Sequence, residues 1–325
     1  MTTSTIPNRE GDLGPQVGRT SGGGRATEAA KLSRKEGWSR RAPLLPALLF
    51  MIVVTQLPFI ITLFNSFRRW ILVRPNERGF VGVSNYQAVF TDPDFWHAVW
   101  ITLVLTVSAV LISLILGLVV ALLLDRKFIG RGAARTLLIT PFLVMPAAGA
   151  LVWKTMMLNP DFGIVDWILR PFGGGSIDWA GRHPLLTIVV VLVWQWMPFM
   201  MLILLAGLQG QSPDIIEAAQ VDGAGAFAIF QWMTLPHLRQ YMELCAVLGS
   251  IYIIQTFDQV YLLTQGGPGQ ATTNLPYFIY LKTFRAGNIG YSSAAGVIVV
   301  IGTIILATFA LRLVASMFRE EGSAR

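Results

Sequence analysis

The densest polar stretch inside the apolar part of this chain reads EAAQVDGAGAFAIFQWMTLPHLRQ, from Glu217 to Gln240. It offers two acids, Glu217 and Asp222, and one histidine, His237, among alanines and glycines. That set has no nucleophile–base pair, no cysteine to join His237 at a zinc ion, and no glycine loop to cradle a phosphate. No G-x-x-x-x-G-K-[ST] run occurs in the 325 residues, so the chain is not read as an ATPase, and we assign no catalytic and no metal-binding residue. What the small residues provide is a flat surface that a second protein can approach closely. Local chemistry shapes it. Ser212 is a good N-cap, Pro213 suits the first helical position, and Asp214 complements the positive end of the helix dipole. A helix is expected from Pro213 to about Val221, ended by Gly223 in the left-handed conformation. A second short helix, from about Ala226, should stop before Pro236. On composition alone, an ordinary amphipathic surface helix competes with a docking knob.

A second group of chemistry-bearing residues lies within apolar runs. VWQWMPF, residues 193–199, carries Trp194 and Trp196, two apart and so on different helix faces, with Pro198 expected to break the helix where a cavity tolerates irregular backbone. In GSIYIIQTFDQVY, the spacing places Gly249, Tyr252 and Thr256 on one helical face, with Gln255 and Asp258 on adjoining faces. Hydroxyl, amide and aromatic plane together suit a polyhydroxylated solute, whose hydroxyls want hydrogen bonds and whose ring face wants a flat apolar partner. Asp258 is an intramembrane carboxylate and therefore a functional candidate by default, in structure or at a gate. The competing reading makes the tryptophans and tyrosines interface anchors and packing. Lys154 is expected to snorkel, and Pro58, Pro141 and Pro146 to kink helices.

These residues need long apolar elements to hold them. The chain is 54% hydrophobic and 13% charged, against about 25% charged in soluble domains. A helix needs about 20 apolar residues to cross the hydrocarbon core. Six such runs are read: 42–67, 98–124, 136–153, 184–213, one from near Leu244 that meets Asp258 late, and roughly 286–311. Strand alternation is absent, which argues against a β-barrel. The first run is too long for a signal peptide and lacks a small-residue cleavage site, so it is read as a spanning helix. The lone Cys245 permits no intrachain disulfide and reads as a small buried hydrophobe. Sixteen Lys and Arg flank one side of the six spans and at most nine the other, which makes both termini and the Glu217 loop cytoplasmic. The expected organisation is a disordered basic tail over 1–41, a six-helix membrane domain over 42–318 containing the loop 211–240, and a cytoplasmic tail over 319–325. The end of the first tail, SRKEGWSRR, suits anionic headgroups.

The loop resembles the EAA loop of the permease subunits of bacterial ABC importers. That pattern runs E-A-A-x-x-D-G-A, then a gap, then L-P. Glu217, Ala218, Ala219, Asp222, Gly223, Ala224, Leu235 and Pro236 match it. LLTQGGPGQATTNLPYFIYLKTF and GFVGVSNYQAVFTDPDFWHAV carry the same resemblance, which extends from about Pro43 to Phe318 and is closest to the carbohydrate type, the permeases for maltose, polyols and glycerol phosphate. The resemblance implies an all-α integral membrane protein, a type I importer permease, whose loop is a coupling helix seated in a cleft of an ATPase subunit. It implies as partners a second homologous permease, two ATP-binding cassette subunits that bind ATP and Mg, an extracytoplasmic solute-binding protein and membrane lipid, with a sugar or polyol as substrate, no nucleic acid and no cofactor on this chain. It implies location in the bacterial cell membrane. It also places solute contacts at Trp196, Phe199, Gly249, Tyr252, Ile253 and Thr256, where Ile253 departs from a polar family residue. The chain also has Ile101 and Thr102 where the family often has Asn-Thr. The alternatives are an ATP-independent secondary transporter or channel, or an ABC permease for a solute other than a sugar. Against the first, no second half resembles the first half, and Asp258 is nearly alone as a candidate ion-coupling carboxylate.

Overall fold

A computed structural model describes residues 44–172 and 177–322. The tail expected over 1–41 and the last three residues lie outside them. The helices are α1 (Leu45–Ser66), α2 (Ser84–Thr91), α3 (Pro93–Asp125), α4 (Arg131–Leu143), α5 (Pro146–Val152), α6 (Ile164–Leu169), α7 (Trp179–Arg182), α8 (Pro184–Gln209), α9 (Pro213–Val221), α10 (Ala226–Ile229), α11 (Leu235–Ile253), α12 (Leu275–Tyr280) and α13 (Ile289–Gly322). Two short strands, β1 (Arg68–Arg69) and β2 (Gly79–Phe80), pair antiparallel, Arg68 opposite Phe80. The described residues fall into two units that meet at Ile60 and Ile61. The first is the leading part of α1, an apolar helix in its own right.

In the second unit, α3 and α8 form the central pair, with α11 and α4 against α8. Met200, Met201, Leu204, Leu205, Ile188 and Leu192 of α8 and Leu238 of α11 are fully buried. Between lipid-embedded helices, association depends on close packing and small residues at the contact. Gly117 of α3 supplies that contact. A Cβ there would stand 3.0 Å from the Met201 amide nitrogen, 3.2 Å from Met200 Cβ and 3.3 Å from the Met197 carbonyl oxygen. The α8 backbone cannot yield as a flexible side chain would. Gly117→Ala is expected to cost about 1–3 kcal/mol, as overpacking does, and Gly117→Leu to prevent accumulation of folded protein. Thermal unfolding in detergent and yield from membranes measure the two. An unchanged melting temperature for Gly117→Ala would show that this contact is not tight.

Among the described residues, four helices are long and apolar enough to cross a membrane: α1, α3, α8 and α13 over Ile289–Thr308. The third expected run is a broken one, α4 followed by α5 and the turn Trp153–Met157, bent by 102°. The fifth run differs most from expectation. Its helix, α11, begins well before Leu244 and carries His237, Arg239 and Glu243 in its first half, then ends at Ile253. Residues 254–257 are non-helical, and a wider turn with i to i+5 bonding follows over Val260–Thr264. Among the described residues the all-α membrane fold therefore stands with four continuous helices of spanning length and one bent pair, and the fifth expected run does not meet the same test of length and apolarity. The last helix also runs to Gly322, past the expected boundary at 318.

At the end where α3 begins, Asp92 ties three elements together. Its Oδ1 accepts the Asp94 N–H at 2.9 Å and caps α3. Its Oδ2 accepts the Tyr291 hydroxyl at 2.6 Å and Lys282 Nζ at 3.0 Å. Burial alone would raise the Asp92 carboxyl above its ordinary 3.8, but the bonds from Tyr291, Lys282 and Asp94 outweigh it and hold it lower. A lowered folded-state value adds stability that is present above pH 3.8 and is lost as pH falls through the folded value. Asp92→Asn should therefore cost about 2 kcal/mol at neutral pH and progressively less as pH falls through the folded value. A pH series of melting temperatures for both proteins tests this, and a gap independent of pH would remove the charge from the account.

Candidate functional site

The loop between α8 and α11 folds much as its residues dictate. Asp222 and Gly223 close α9. Gly223 has φ +84°, its N–H donates to the Gln220 carbonyl at 3.1 Å, and the Ala224 N–H donates to the Ala219 carbonyl at 2.9 Å. This is the two-bond glycine cap that satisfies orphan carbonyls at a helix end. Ser212 occupies the cap position at the other end, but its hydroxyl makes no capping bond. The second helix does not stop before Pro236. From Ala226 the chain stays helical into α11, through a wider turn over Phe230–Thr234 in which the Leu235 N–H reaches the Phe230 carbonyl. Pro236, which lacks an N–H, directly follows that wider turn, at the second position of α11.

Of the predicted loop residues, Glu217, Ala218, Asp222, Gly223 and Pro236 are exposed, Ala224 and Leu235 are half-buried, and Ala219 is buried. Beside the acids stand exposed apolar side chains: Val221 (87%), Phe227 (76%) and Trp232 (74%). Large apolar groups exposed in the same short loop as two acids suit a contact surface. At its base the loop is fixed to both flanking helices. His237 Nε2 donates to the Gly207 carbonyl at 3.0 Å. A Cβ on Gly207 would lie 2.7 Å from the Tyr241 ring and 3.0 Å from Leu238 Cδ2. The missing side chain at 207 is the notch into which α11 fits.

Midway along α8, three predicted pathway residues come together. Trp196 stacks on Tyr252 of α11, with centroids 5.4 Å apart and planes 20° apart. Phe199 meets Trp196 edge-on at 6.0 Å. The cluster is completed by a residue the sequence reading did not single out, Phe142 of α4, stacked on Phe199 at 5.3 Å and against Trp196 at 5.8 Å. Its position two residues before Val144, close to Pro141 and Pro146, was the available signal. Tyr252 is 54% exposed, so the cluster is open to a ligand on its α11 side. Trp194 turns the other way and packs on Trp153 at 5.8 Å.

The remaining pathway candidates stand elsewhere. Gly249 is buried, and a Cβ on it would meet Met200 Cε at 2.5 Å. It serves helix packing. Thr256 does not share a helical face with Gly249 and Tyr252, because the helix has already ended. It lies in the non-helical stretch, buried, with its carbonyl accepting Asn274 Nδ2 at 2.5 Å. Gln255 is exposed and folds back to the Ile251 carbonyl at 2.7 Å. Asp258 is half-buried at the start of the helical turn that follows. Pro198 does not break α8, which runs through it to Gln209. Lys154 Nζ donates to the Leu262 carbonyl at 2.7 Å.

Residues 113–319 match the family model described as binding-protein-dependent transport system inner membrane component. A probable ABC transporter permease protein, y4oQ of Sinorhizobium fredii, is 36% identical over 259 residues, covering 79% of this chain and 84% of its own. The trehalose/maltose transport system permease protein MalF of Thermococcus litoralis is 33% identical over 294 residues, 90% of this chain and 98% of its own. The sulfoquinovosyl glycerol transport system permease protein SmoG of Agrobacterium fabrum is 31% identical, covering 83% and 88%. Among solved structures, a bacterial ABC transporter involved in the import of the acidic polysaccharide alginate shares the fold, with a TM-score of 0.74 at 20% identity, over 89% of this chain and 99% of that one.

Proposed function

This chain belongs to the family of binding-protein-dependent transport system inner membrane components, and from that premise we propose that it forms, with a second homologous permease, the membrane pathway of an ATP-driven importer of sugars or polyols. It is a multi-pass membrane protein and a transport subunit. In the proposed assembly, two ATP-binding cassette subunits hold ATP and Mg and hydrolyse it. An extracytoplasmic binding protein delivers the solute. Both termini and the 211–240 loop face the cytoplasm. Closure of the ATPase subunits pushes the two permeases' loops toward each other, and the spans attached to those loops open the pathway outward. Hydrolysis resets them.

One observation carries the reading. An exposed knuckle of acids and large apolar groups is capped at Gly223 and fixed at Gly207 to α8 and α11, the two helices that carry Trp196 and Tyr252. A surface built to be pushed is thereby continuous with a surface suited to a sugar ring. The relatives named for trehalose/maltose and sulfoquinovosyl glycerol support the solute class. Reconstitution tests it. Proteoliposomes holding this chain with its permease, ATPase and binding-protein partners should accumulate a radiolabelled sugar only with hydrolysable ATP and the binding protein present. Solute flux through this chain alone, without nucleotide, would overturn the proposal in favour of a secondary carrier or channel.

A further inference from the structure

Two glutamines lie where an amide is costly to place. Gln195 of α8 is 4% exposed, and Gln259, in the turn that follows α11, is 3% exposed. Their side chains meet. Gln259 Nε2 donates to Gln195 Oε1 at 2.6 Å, and Gln195 Nε2 donates to the Val144 carbonyl at 3.1 Å. The chain of bonds has a direction. With the Gln195 oxygen engaged by Gln259, the nitrogen is the end left to face Val144.

The Val144 carbonyl needs that donor. Val144 ends α4, and in an unbroken helix its oxygen would accept the N–H of the residue four places on. Here the chain turns by 102° into α5 instead. A carbonyl stranded in apolar surroundings is strongly unfavourable, and broken spans survive where a neighbour supplies the missing partner. Gln195 is that neighbour. Phe142 lies two residues before Val144 and stacks on Phe199, so whatever fixes Val144 against α8 also fixes Phe142 in the aromatic cluster. Gln259 follows closely on the other break, at residues 254–257.

We propose that Gln195 and Gln259 are positioning residues of the solute pathway. Gln259 orients the Gln195 amide, Gln195 latches the break after α4 onto α8, and the ring of Phe142 is held in register with Trp196 and Phe199. Neither glutamine reaches the solute. The assignment of this cluster as pathway rests on the function proposed above, whereas the latch rests on geometry alone. The competing account is that the glutamines only fill volume. Methionine separates the two, being nearly the same length and shape without the donor.

The test uses the full chain in membranes with its partner subunits, in a Cys245→Ala background carrying Phe142→Cys and Phe199→Cys. Copper-phenanthroline drives the disulfide between 142 and 199, and maleimide-polyethylene glycol labelling reads the thiols that remain. Adding Gln259→Met should slow the cross-link about fivefold, the factor equivalent to one net hydrogen bond. Gln195→Met should do the same or more, and the double variant should be no slower than Gln195→Met alone, because the two act in series. Gln259→His, which keeps an N–H donor at a similar reach, should restore the rate. Cross-linking at the parent rate in Gln259→Met, or additive losses in the double variant, would overturn the latch. If Gln195→Met does not accumulate, Gln259→Met still decides, since it leaves the Val144 bond available. Sugar uptake is measured in parallel with the native phenylalanines retained. Slowed cross-linking with a raised KM and an unchanged maximal rate upholds the whole proposal. Slowed cross-linking with unchanged uptake upholds the latch and rejects the cluster as the pathway.

Discussion

Replacing Gly223 with proline is expected to lower uptake by the assembled transporter by at least an order of magnitude while the chain still inserts in the membrane. The size of the effect follows from the backbone. Gly223 holds φ at +84° and donates its N–H to Gln220. Proline fixes φ near −65° and has no N–H. The left-handed conformation costs an L-residue about 1–2 kcal/mol, and the lost bond adds about 1 kcal/mol. That total exceeds what a nine-residue surface helix can absorb, so α9 loses its end and the knuckle loses its shape. Nothing packs within 4 Å of where a Cβ would project from Gly223, so the damage stays local. Glu217→Ala is the companion experiment. The Glu217 carboxylate is exposed and makes no hydrogen bond or ion pair to the described residues, so its loss should leave the melting temperature alone. Uptake and solute-stimulated ATP hydrolysis should fall together if the carboxylate meets an ATPase subunit. Normal values of both in the two variants would reject the coupling role of this loop.

The second large effect is expected at Trp196. Its ring contacts Tyr252, Phe199 and Phe142, so Trp196→Ala removes the plane on which the others are arranged. Aromatic pairs contribute about 0.5–1.5 kcal/mol each beyond area burial, so losing several contacts should raise the KM for sugar uptake more than tenfold. Tyr252→Ala should act more weakly, and Tyr252→Phe should separate the hydroxyl from the ring. A Phe variant with parent kinetics assigns the role to stacking. If Trp196→Ala transports at limiting solute like the parent, the cluster is packing and the pathway lies elsewhere. Immunoprecipitation of the partner subunits keeps a failed assembly from being read as a transport defect.

Much of the loop could be read from single residues, because its structure is decided locally. Pro213 starts a helix, and Gly223 ends one because it adopts positive φ without penalty. The mid-span region was less legible for two physical reasons. The helix that carries Tyr252 ends at Ile253 although neither Gly nor Pro stands at 254–257, so spacing alone extended it to Thr256 and assigned that residue a face it does not have. Pro198, the signal expected to mark a break, sits within a continuous α8. Phe142 was marked only by the neighbouring Pro141 and Pro146, because its significance depends on the 102° bend and on Phe199, 57 places away. Gln195 was not singled out in the sequence, where it stands between two tryptophans. Only the stranded Val144 carbonyl explains why an amide stands there.

The notch at Gly207 has a mechanical consequence. With the Tyr241 ring filling the missing side chain and His237 holding the Gly207 carbonyl, the loop-side ends of two neighbouring rods are hindered from slipping lengthwise past each other. A thrust on the knuckle therefore arrives at both as a single stroke. Under the coupling role proposed above, a bulkier residue at 207 would act like a loose joint in a linkage: ATP would still be consumed, but less of each stroke would reach the cargo.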